Sequence, residues 1–222
     1  MKEIIEILNK IETQSLTLIQ QESDWFKSTK DIIWFSNEVA DYDNDQITDY
    51  YVKNEYGRKT RWEVWNNSIS ILKKHNIKNL LDIGCANGHF VFLAQKSSIE
   101  SFGIEPRQNI VNLYQEKFIK EFGQKKLFVS NYEYFIDFLL DNKENTNFKF
   151  DCITALNYMH GKGHNSSSLE KFFKNIFYFC DYLLTSEPNW QEYGLIDLLS
   201  NSQKTECIPP TNQHYLFKSN PI

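Results

Sequence analysis

Hydrophobic and polar residues follow two alternating patterns along most of this chain. Short apolar runs that end at Gly, Pro or polar residues predict buried strands, and longer stretches with apolar residues three and four apart predict helices. The predicted strands cover residues 80–83, 101–105, 127–130, 150–156, 181–186, 204–208 and 214–218. The predicted helices cover residues 58–75, 88–97, 107–122, 132–142, 167–179 and 192–200.

The order of these elements predicts the fold class. Strands that alternate with helices form βαβ units, which build a parallel sheet with right-handed crossovers. The last two strands have no helix between them, so we predict that they pair antiparallel. The sequence therefore predicts a Rossmann-like, doubly wound α/β fold with a mostly parallel sheet.

The first 57 residues precede this alternation. A helix is predicted over residues 1–22, where apolar residues recur at near-helical spacing: Ile4, Ile5, Leu8, Ile11, Leu18 and Ile19. Such a stripe packs against the parent domain or binds a partner, and we favour packing. Residues 23–57 show no strong period and predict short helices and loops. We divide the chain into an N-terminal helical extension or lid (1–57) and a main domain (58–222).

Composition and charge narrow the function classes. The net charge of −5 disfavours a long nucleic-acid footprint, although the segment Lys53–Arg61 is locally basic. The N-terminus lacks the pattern of a signal peptide, and no run is long and apolar enough to span a bilayer. The four cysteines are far apart and form no CxxC pair, which is typical of a reduced cytoplasmic protein. We therefore expect a cytoplasmic protein without a membrane partner, and nucleic acid is the less favoured kind of partner.

The residues with the clearest chemical meaning follow the first predicted strand. Asp82 and the GxxxG spacing of Gly84 and Gly88 form a small-residue turn that leads into a helix. Glycine allows close backbone approach to a ligand, and this turn lies at the edge of the sheet where ligands bind. The dinucleotide fingerprint GxGxxG is not met, because Ala86 stands at its second glycine. Glu105 ends the second strand, where its two carboxylate oxygens match a ribose diol.

These residues, with Ser130-Asn131 and Phe150-Asp151, resemble the class I S-adenosylmethionine-dependent methyltransferases over about residues 50–218. The resemblance implies a seven-stranded sheet with an antiparallel last strand and S-adenosylmethionine as the cofactor. It implies that Asp82 anchors the amino group of the cofactor, that Glu105 holds the ribose and that Asn131 accepts from the adenine amino group. The residues that it assigns to cofactor binding are Asp82, Gly84, Cys85, Ala86, Gly88, Glu105, Asn131 and Asn157.

The loop after the fourth predicted strand holds the candidate catalytic residues, His160 and His164. It resembles the corresponding segment of small-molecule O-methyltransferases, and a histidine suits a general base at neutral pH. The alternatives are a structural histidine and, with less support, a metal ligand, for which no third ligand is apparent. The Asn/Asp-Pro-Pro-Tyr motif of enzymes that methylate nucleobase amines is missing, since this chain has Asn157-Tyr158-Met159-His160.

We therefore predict a methyltransferase that acts on an oxygen of a small molecule or a saccharide precursor. Two alternatives stay open. One is an RNA methyltransferase that uses the segment Lys53–Arg61, and the other is a non-catalytic binding protein with the methyltransferase fold. Nothing in the sequence specifies a metal site or an oligomeric state.

Overall fold

The structure is a computed structural model that describes residues 2–19, 58–145, 148–156, 166–186, 202–208 and 214–220. The helices are α1 (Lys2–Ile19), α2 (Arg58–Lys74), α3 (His89–Lys96), α4 (Gln108–Phe122), α5 (Tyr132–Asp141) and α6 (Ser166–Asn175). The strands are β1 (Asn79–Ile83), β2 (Glu100–Glu105), β3 (Leu127–Val129), β4 (Phe150–Ala155), β5 (Cys180–Ser186), β6 (Ser202–Ile208) and β7 (His214–Ser219). Short 3-10 turns follow α5 and α6.

All predicted strands, and every predicted helix within the described residues, are present with boundaries shifted by a few residues at most. The exception in length is the last helix before β5, where a 3-10 turn at Ile176–Tyr178 replaces its final turn. The helix predicted at 192–200 and the segment predicted as short helices and loops at 23–57 lie outside the described residues.

The strands form one seven-stranded sheet in the order β3-β2-β1-β4-β5-β7-β6. Strands β1 to β5 are parallel, while β7 is antiparallel to both of its neighbours, β5 and β6. The predicted Rossmann-like, mostly parallel sheet with an antiparallel last strand is therefore confirmed. The chain runs outward from β1 to β3, and then crosses to β4 on the other side of β1. The carboxyl ends of β1, β2 and β4 thus meet where the strand order reverses, which is where α/β sheets bind ligands.

Hydrophobic clusters cover both faces of the sheet. Helices α2, α3 and α4 supply one cluster, which contains Leu80 of β1. Helices α1, α5 and α6 supply the other, which contains Leu81 and Ile83. Neighbouring residues of a strand point to opposite faces. Asp82 therefore points to the same face as Leu80, towards α3 and α4.

Helix α1 packs against β3, the edge strand of the sheet. Ile4, Leu8 and Ile11 of the predicted stripe are buried in the second cluster, and Ile5 packs against it. Leu18 is 37% exposed, so the stripe predicts the packed residues in the first part of the helix but not near its end. Glu12, next to Ile11, accepts a hydrogen bond from the Val129 backbone N–H at 2.9 Å and forms an ion pair with Lys125. An edge strand leaves such N–H groups unpaired. The carboxylate of Glu12 therefore satisfies a donor that the sheet cannot.

Replacing Glu12 with alanine is expected to destabilise the fold by about 1–3 kcal/mol, because the Val129 N–H and the Lys125 ammonium both lose their acceptor. Urea unfolding measures the effect. The matched control is Glu6→Ala on the same helix, since Glu6 is exposed and, among the described residues, pairs with Lys2 at 3.9 Å. Its expected cost is below about 0.5 kcal/mol. Equal costs for the two variants would show that capping of the edge strand contributes nothing.

None of the described helices is long and apolar enough to cross a membrane.

Candidate cofactor-binding site

The site is built around the turn between β1 and α3. Gly84, Ala86 and Gly88 all have positive φ values, of 72°, 49° and 79°. The turn is fastened to the neighbouring strand, because the backbone N–H groups of Gly84 and Cys85 donate to the Ile104 carbonyl at 2.9 and 3.0 Å. Ala86 adopts a left-handed conformation that disfavours residues with a Cβ. The turn is therefore tightly wound, and it is held at the carboxyl end of β2.

Close packing against α4 and β2 holds the turn in place. A Cβ at Gly88 would lie 2.9 Å from the Phe118 ring, and one at Gly103 in β2 would lie 2.6 Å from the Cys85 Sγ. The Cys85 side chain thus points into the core against β2. Burial raises the pKa of its thiol well above the usual range, so the thiol stays protonated. A contact between Cys85 and a cofactor would have to use its backbone.

Glu105 lies directly beside this turn and is 1% exposed. Its Oε2 accepts a hydrogen bond from the Ala86 N–H at 3.1 Å. Its Oε1 accepts from the backbone N–H of Arg107 at 3.2 Å and from Arg107 Nε at 2.6 Å. The structure therefore brings together Glu105 and the glycine turn, which are far apart along the chain.

Asp82 is the second carboxylate of the site and is 5% exposed. Its Oδ1 accepts a hydrogen bond from Thr154 Oγ1 at 2.6 Å, across the β1–β4 pair. Burial raises the pKa of Asp82 to about 7, the Thr154 hydrogen bond opposes this rise, and the charge of Glu105 adds to it. A carboxylate in this position would be stabilised by a cationic ligand.

The raised pKa of Asp82 gives a prediction for stability. Between pH 3.8 and about 7, Asp82 is mostly protonated in the folded state and mostly ionised in the unfolded state. The free energy of unfolding therefore falls as the pH rises through this range. Asp82→Asn removes the titration and keeps an acceptor for Thr154. The stability of this variant relative to wild type should therefore rise by about 3 kcal/mol from pH 5 to pH 8. Urea unfolding at both values measures it, and a stability difference that does not change with pH would contradict it.

Other predicted site residues fall in different places. Asn131 is buried and caps α5, with its Oδ1 accepting from the Tyr134 N–H at 2.8 Å. A second lone pair on that oxygen leaves room for the predicted adenine contact. Asn157, His160 and His164 lie outside the described residues.

Asp151, part of the motif that suggested the family, has a structural role. Its Oδ2 accepts from the backbone N–H groups of Lys78 and Asn79, at 2.6 and 3.1 Å, and so ties β4 to the beginning of β1. This contact lies at the amino ends of the strands, away from the glycine turn.

Sequence reasoning did not assign roles to Gly103, Thr154 or Arg107. Two of them carried a signal: a glycine inside a strand pattern indicates close approach of another segment, and Thr154 is a polar residue in an apolar run. Arg107 carried no such signal, because an arginine after a strand is most often exposed, whereas its side chain here is 12% exposed. Within the described part of the chain, no group of three or more His, Cys, Asp or Glu side chains could hold a metal ion.

Comparison with solved structures places this arrangement among known folds. The methyltransferase domain of bacterial CtHen1 superposes with a TM-score of 0.55 at 17% identity, over 72% of this chain and 99% of that domain. Magnesium protoporphyrin IX methyltransferase (ChlM) from Synechocystis PCC 6803, solved with bound S-adenosylmethionine, gives 0.54 at 10% identity, over 86% of this chain and 96% of that one.

A third similar structure, the N-methyltransferase NodS from Bradyrhizobium japonicum WM9, also gives a TM-score of 0.54, at 12% identity, over 74% of this chain and 99% of its own. The chain has the class I methyltransferase fold. No protein-family model and no curated protein matches the sequence. The fold is therefore assigned from structural similarity and not from sequence similarity. The glycine turn and Glu105 lie at the carboxyl ends of the strands, the edge at which α/β sheets bind ligands.

Proposed function

We propose that this chain binds S-adenosylmethionine and catalyses transfer of its methyl group. The observation that carries the proposal is the hydrogen bond from the Ala86 N–H to Glu105 Oε2, at 3.1 Å. It joins the glycine turn to a buried carboxylate at the carboxyl end of the next strand. The methyltransferase fold supports the same conclusion, since ChlM has this fold and was solved with bound S-adenosylmethionine.

The residues of the site fit the chemical groups of this cofactor. A ribose diol donates two hydrogen bonds, and Glu105 is a buried acceptor held at a fixed position by the turn. The ammonium group of the methionine part needs an anion, and Asp82 is a buried carboxylate whose pKa of about 7 would fall beside a cation. The tight turn from Gly84 to Gly88 presents backbone rather than bulky side chains.

Methyl transfer needs a bound sulfonium and an aligned nucleophile. The cofactor supplies the activated methyl group. Among the described residues of this chain, Glu105 would hold the ribose of the cofactor and Asp82 its amino group. Because both carboxylates are buried, their contacts are shielded from water and stronger than at the surface.

For the acceptor we propose an oxygen of a small molecule or of a saccharide precursor. This part rests on the sequence of the loop after β4, where His160 is the candidate general base and His164 the second. The missing Asn/Asp-Pro-Pro-Tyr motif disfavours nucleobase amines. We place the reaction in the cytoplasm, which fits the described cysteines Cys85, Cys152 and Cys180, all of which are free.

Two measurements test the proposal. Isothermal titration of the full chain with S-adenosylmethionine should give saturable 1:1 binding, and the absence of binding would contradict the cofactor assignment. Incubation with methyl-labelled S-adenosylmethionine and fractionated cell extract, followed by mass spectrometry, should identify a product labelled on oxygen. Binding without turnover on any fraction would favour the non-catalytic alternative, and label on RNA would favour the RNA alternative. His160→Ala should lose turnover while cofactor binding is kept.

A further inference from the structure

Arg107 occupies part of the carboxylate to which the proposed cofactor would bind. Among the described residues, three N–H groups donate to Glu105: Ala86 N to Oε2, and Arg107 N and Nε to Oε1. An ionised carboxylate has about four lone-pair positions, two on each oxygen. Oε1 is therefore saturated, whereas Oε2 retains one position.

A ribose diol that binds both oxygens of a carboxylate needs one free position on each. With the Arg107 side chain in place, only Oε2 can accept a ribose hydroxyl. If the side chain leaves, the two backbone donors remain, one on each oxygen, and each oxygen has one position for a hydroxyl. The carboxylate then matches the diol in full.

We propose that the Arg107 side chain is a latch that exchanges with one ribose hydroxyl and so limits cofactor affinity. This inference rests on the proposed function. The latch is a charge-assisted contact at 2.6 Å between side chains that are 12% and 2% exposed. Opening it costs free energy, because a charged donor is exchanged for a neutral hydroxyl. Arg107 is the N-cap residue of α4 and lies outside the strands, so displacement of its side chain from Glu105 breaks no hydrogen bond between strands of the sheet.

The latch also predicts that wild type tolerates the loss of one ribose hydroxyl from the ligand. When an analogue lacks the hydroxyl that reaches Oε1, Arg107 remains on that oxygen and no acceptor is left unsatisfied. Wild type should therefore lose little affinity for that analogue. Without the guanidinium, the same analogue leaves a buried carboxylate oxygen short of a donor, and the loss should be large.

The experiment is isothermal titration with S-adenosylhomocysteine and its 2′-deoxy and 3′-deoxy forms. Arg107→Met should bind S-adenosylhomocysteine about 5- to 10-fold more tightly than wild type, since the latch no longer competes. The deoxy form that lacks the hydroxyl at Oε1 should bind wild type less than about 3-fold more weakly than S-adenosylhomocysteine does, and Arg107→Met about 10-fold more weakly. The other deoxy form should lose the same factor in affinity for both proteins. The control for charge removal is Lys96→Met, an exposed cation paired with Glu121, which should bind like wild type.

A second variant keeps the test decisive if Arg107→Met does not fold. Arg107→Lys retains the charge, but its ammonium is more strongly hydrated and should leave Glu105 more readily, giving binding tighter than wild type. Folded variants that bind S-adenosylhomocysteine no more tightly than wild type does would overturn the latch. A tenfold loss of wild-type affinity for each of the two deoxy forms would overturn it as well. Failure of wild type to bind S-adenosylhomocysteine would overturn the proposed function itself.

Discussion

Glu105→Gln is expected to weaken binding of S-adenosylmethionine about 10- to 100-fold, the largest effect on the site. Glutamine keeps the size of the side chain but replaces one acceptor oxygen with an NH2 group. That group must face either the Ala86 N–H or the Arg107 donors, so a donor faces a donor, and the amide has only one oxygen left to accept from the ribose hydroxyls. Isothermal titration measures the loss.

The matched control is Glu100→Gln at the opposite end of the same strand. Glu100 pairs with buried Lys126 and accepts from Gln124 at 3.0 Å and from Gln95 at 3.2 Å. Its replacement should destabilise the fold, because Lys126 is 0% exposed and would lose its counter-ion, yet leave cofactor affinity within about twofold. If Glu105→Gln and Glu100→Gln weakened binding equally, the effect would reflect stability rather than contact with the cofactor.

Gly103→Ala is expected to destabilise the fold by about 2–3 kcal/mol and to weaken cofactor binding as well. The new Cβ would lie 2.6 Å from Cys85 Sγ, 2.7 Å from Cys85 Cβ and 3.0 Å from Val91 Cγ2. These atoms belong to the glycine turn and to α3, so relief of the overlap must move the turn away from β2. Urea unfolding and isothermal titration measure the two effects.

Two further variants separate overlap from backbone strain. Gly123→Ala adds a Cβ with no atom within 4 Å, but at a φ of +71°, so it should cost only about 1 kcal/mol and leave binding unchanged. Cys85→Gly removes the two nearest of the three atoms that the Cβ of Gly103→Ala would strike, and leaves Val91 Cγ2 in place. The destabilisation of the double variant should therefore be smaller than the sum of the two single destabilisations, by about 1–2 kcal/mol. Additive effects would contradict contact between Cys85 and position 103 as the cause.

The positions of strands and helices in this chain depend on local sequence. Strand and helix positions were predictable because each is encoded in contiguous residues, through the period of their apolar positions and the Gly and Pro that end them. The antiparallel pair β6–β7 followed from the absence of a helix between the last two predicted strands. The hydrophobic stripe of α1 likewise predicted the burial of Ile4, Leu8 and Ile11, but it did not predict the exposure of Leu18.

For the site, the sequence determined that Asp82, the glycine turn and Glu105 would come together, because carboxyl ends of adjacent parallel strands share one edge of a sheet. Only the tertiary structure decided how they meet. Thr154 reaches Asp82 through a strand register that joins residues 72 positions apart, and the packing of Cys85 on Gly103 depends on the distance between a turn and a strand. The pKa of Asp82 and the hold of Arg107 on Glu105 arise from burial and from the directions of side chains. No periodic pattern encodes these properties, since they depend on atoms that approach only when the chain is folded.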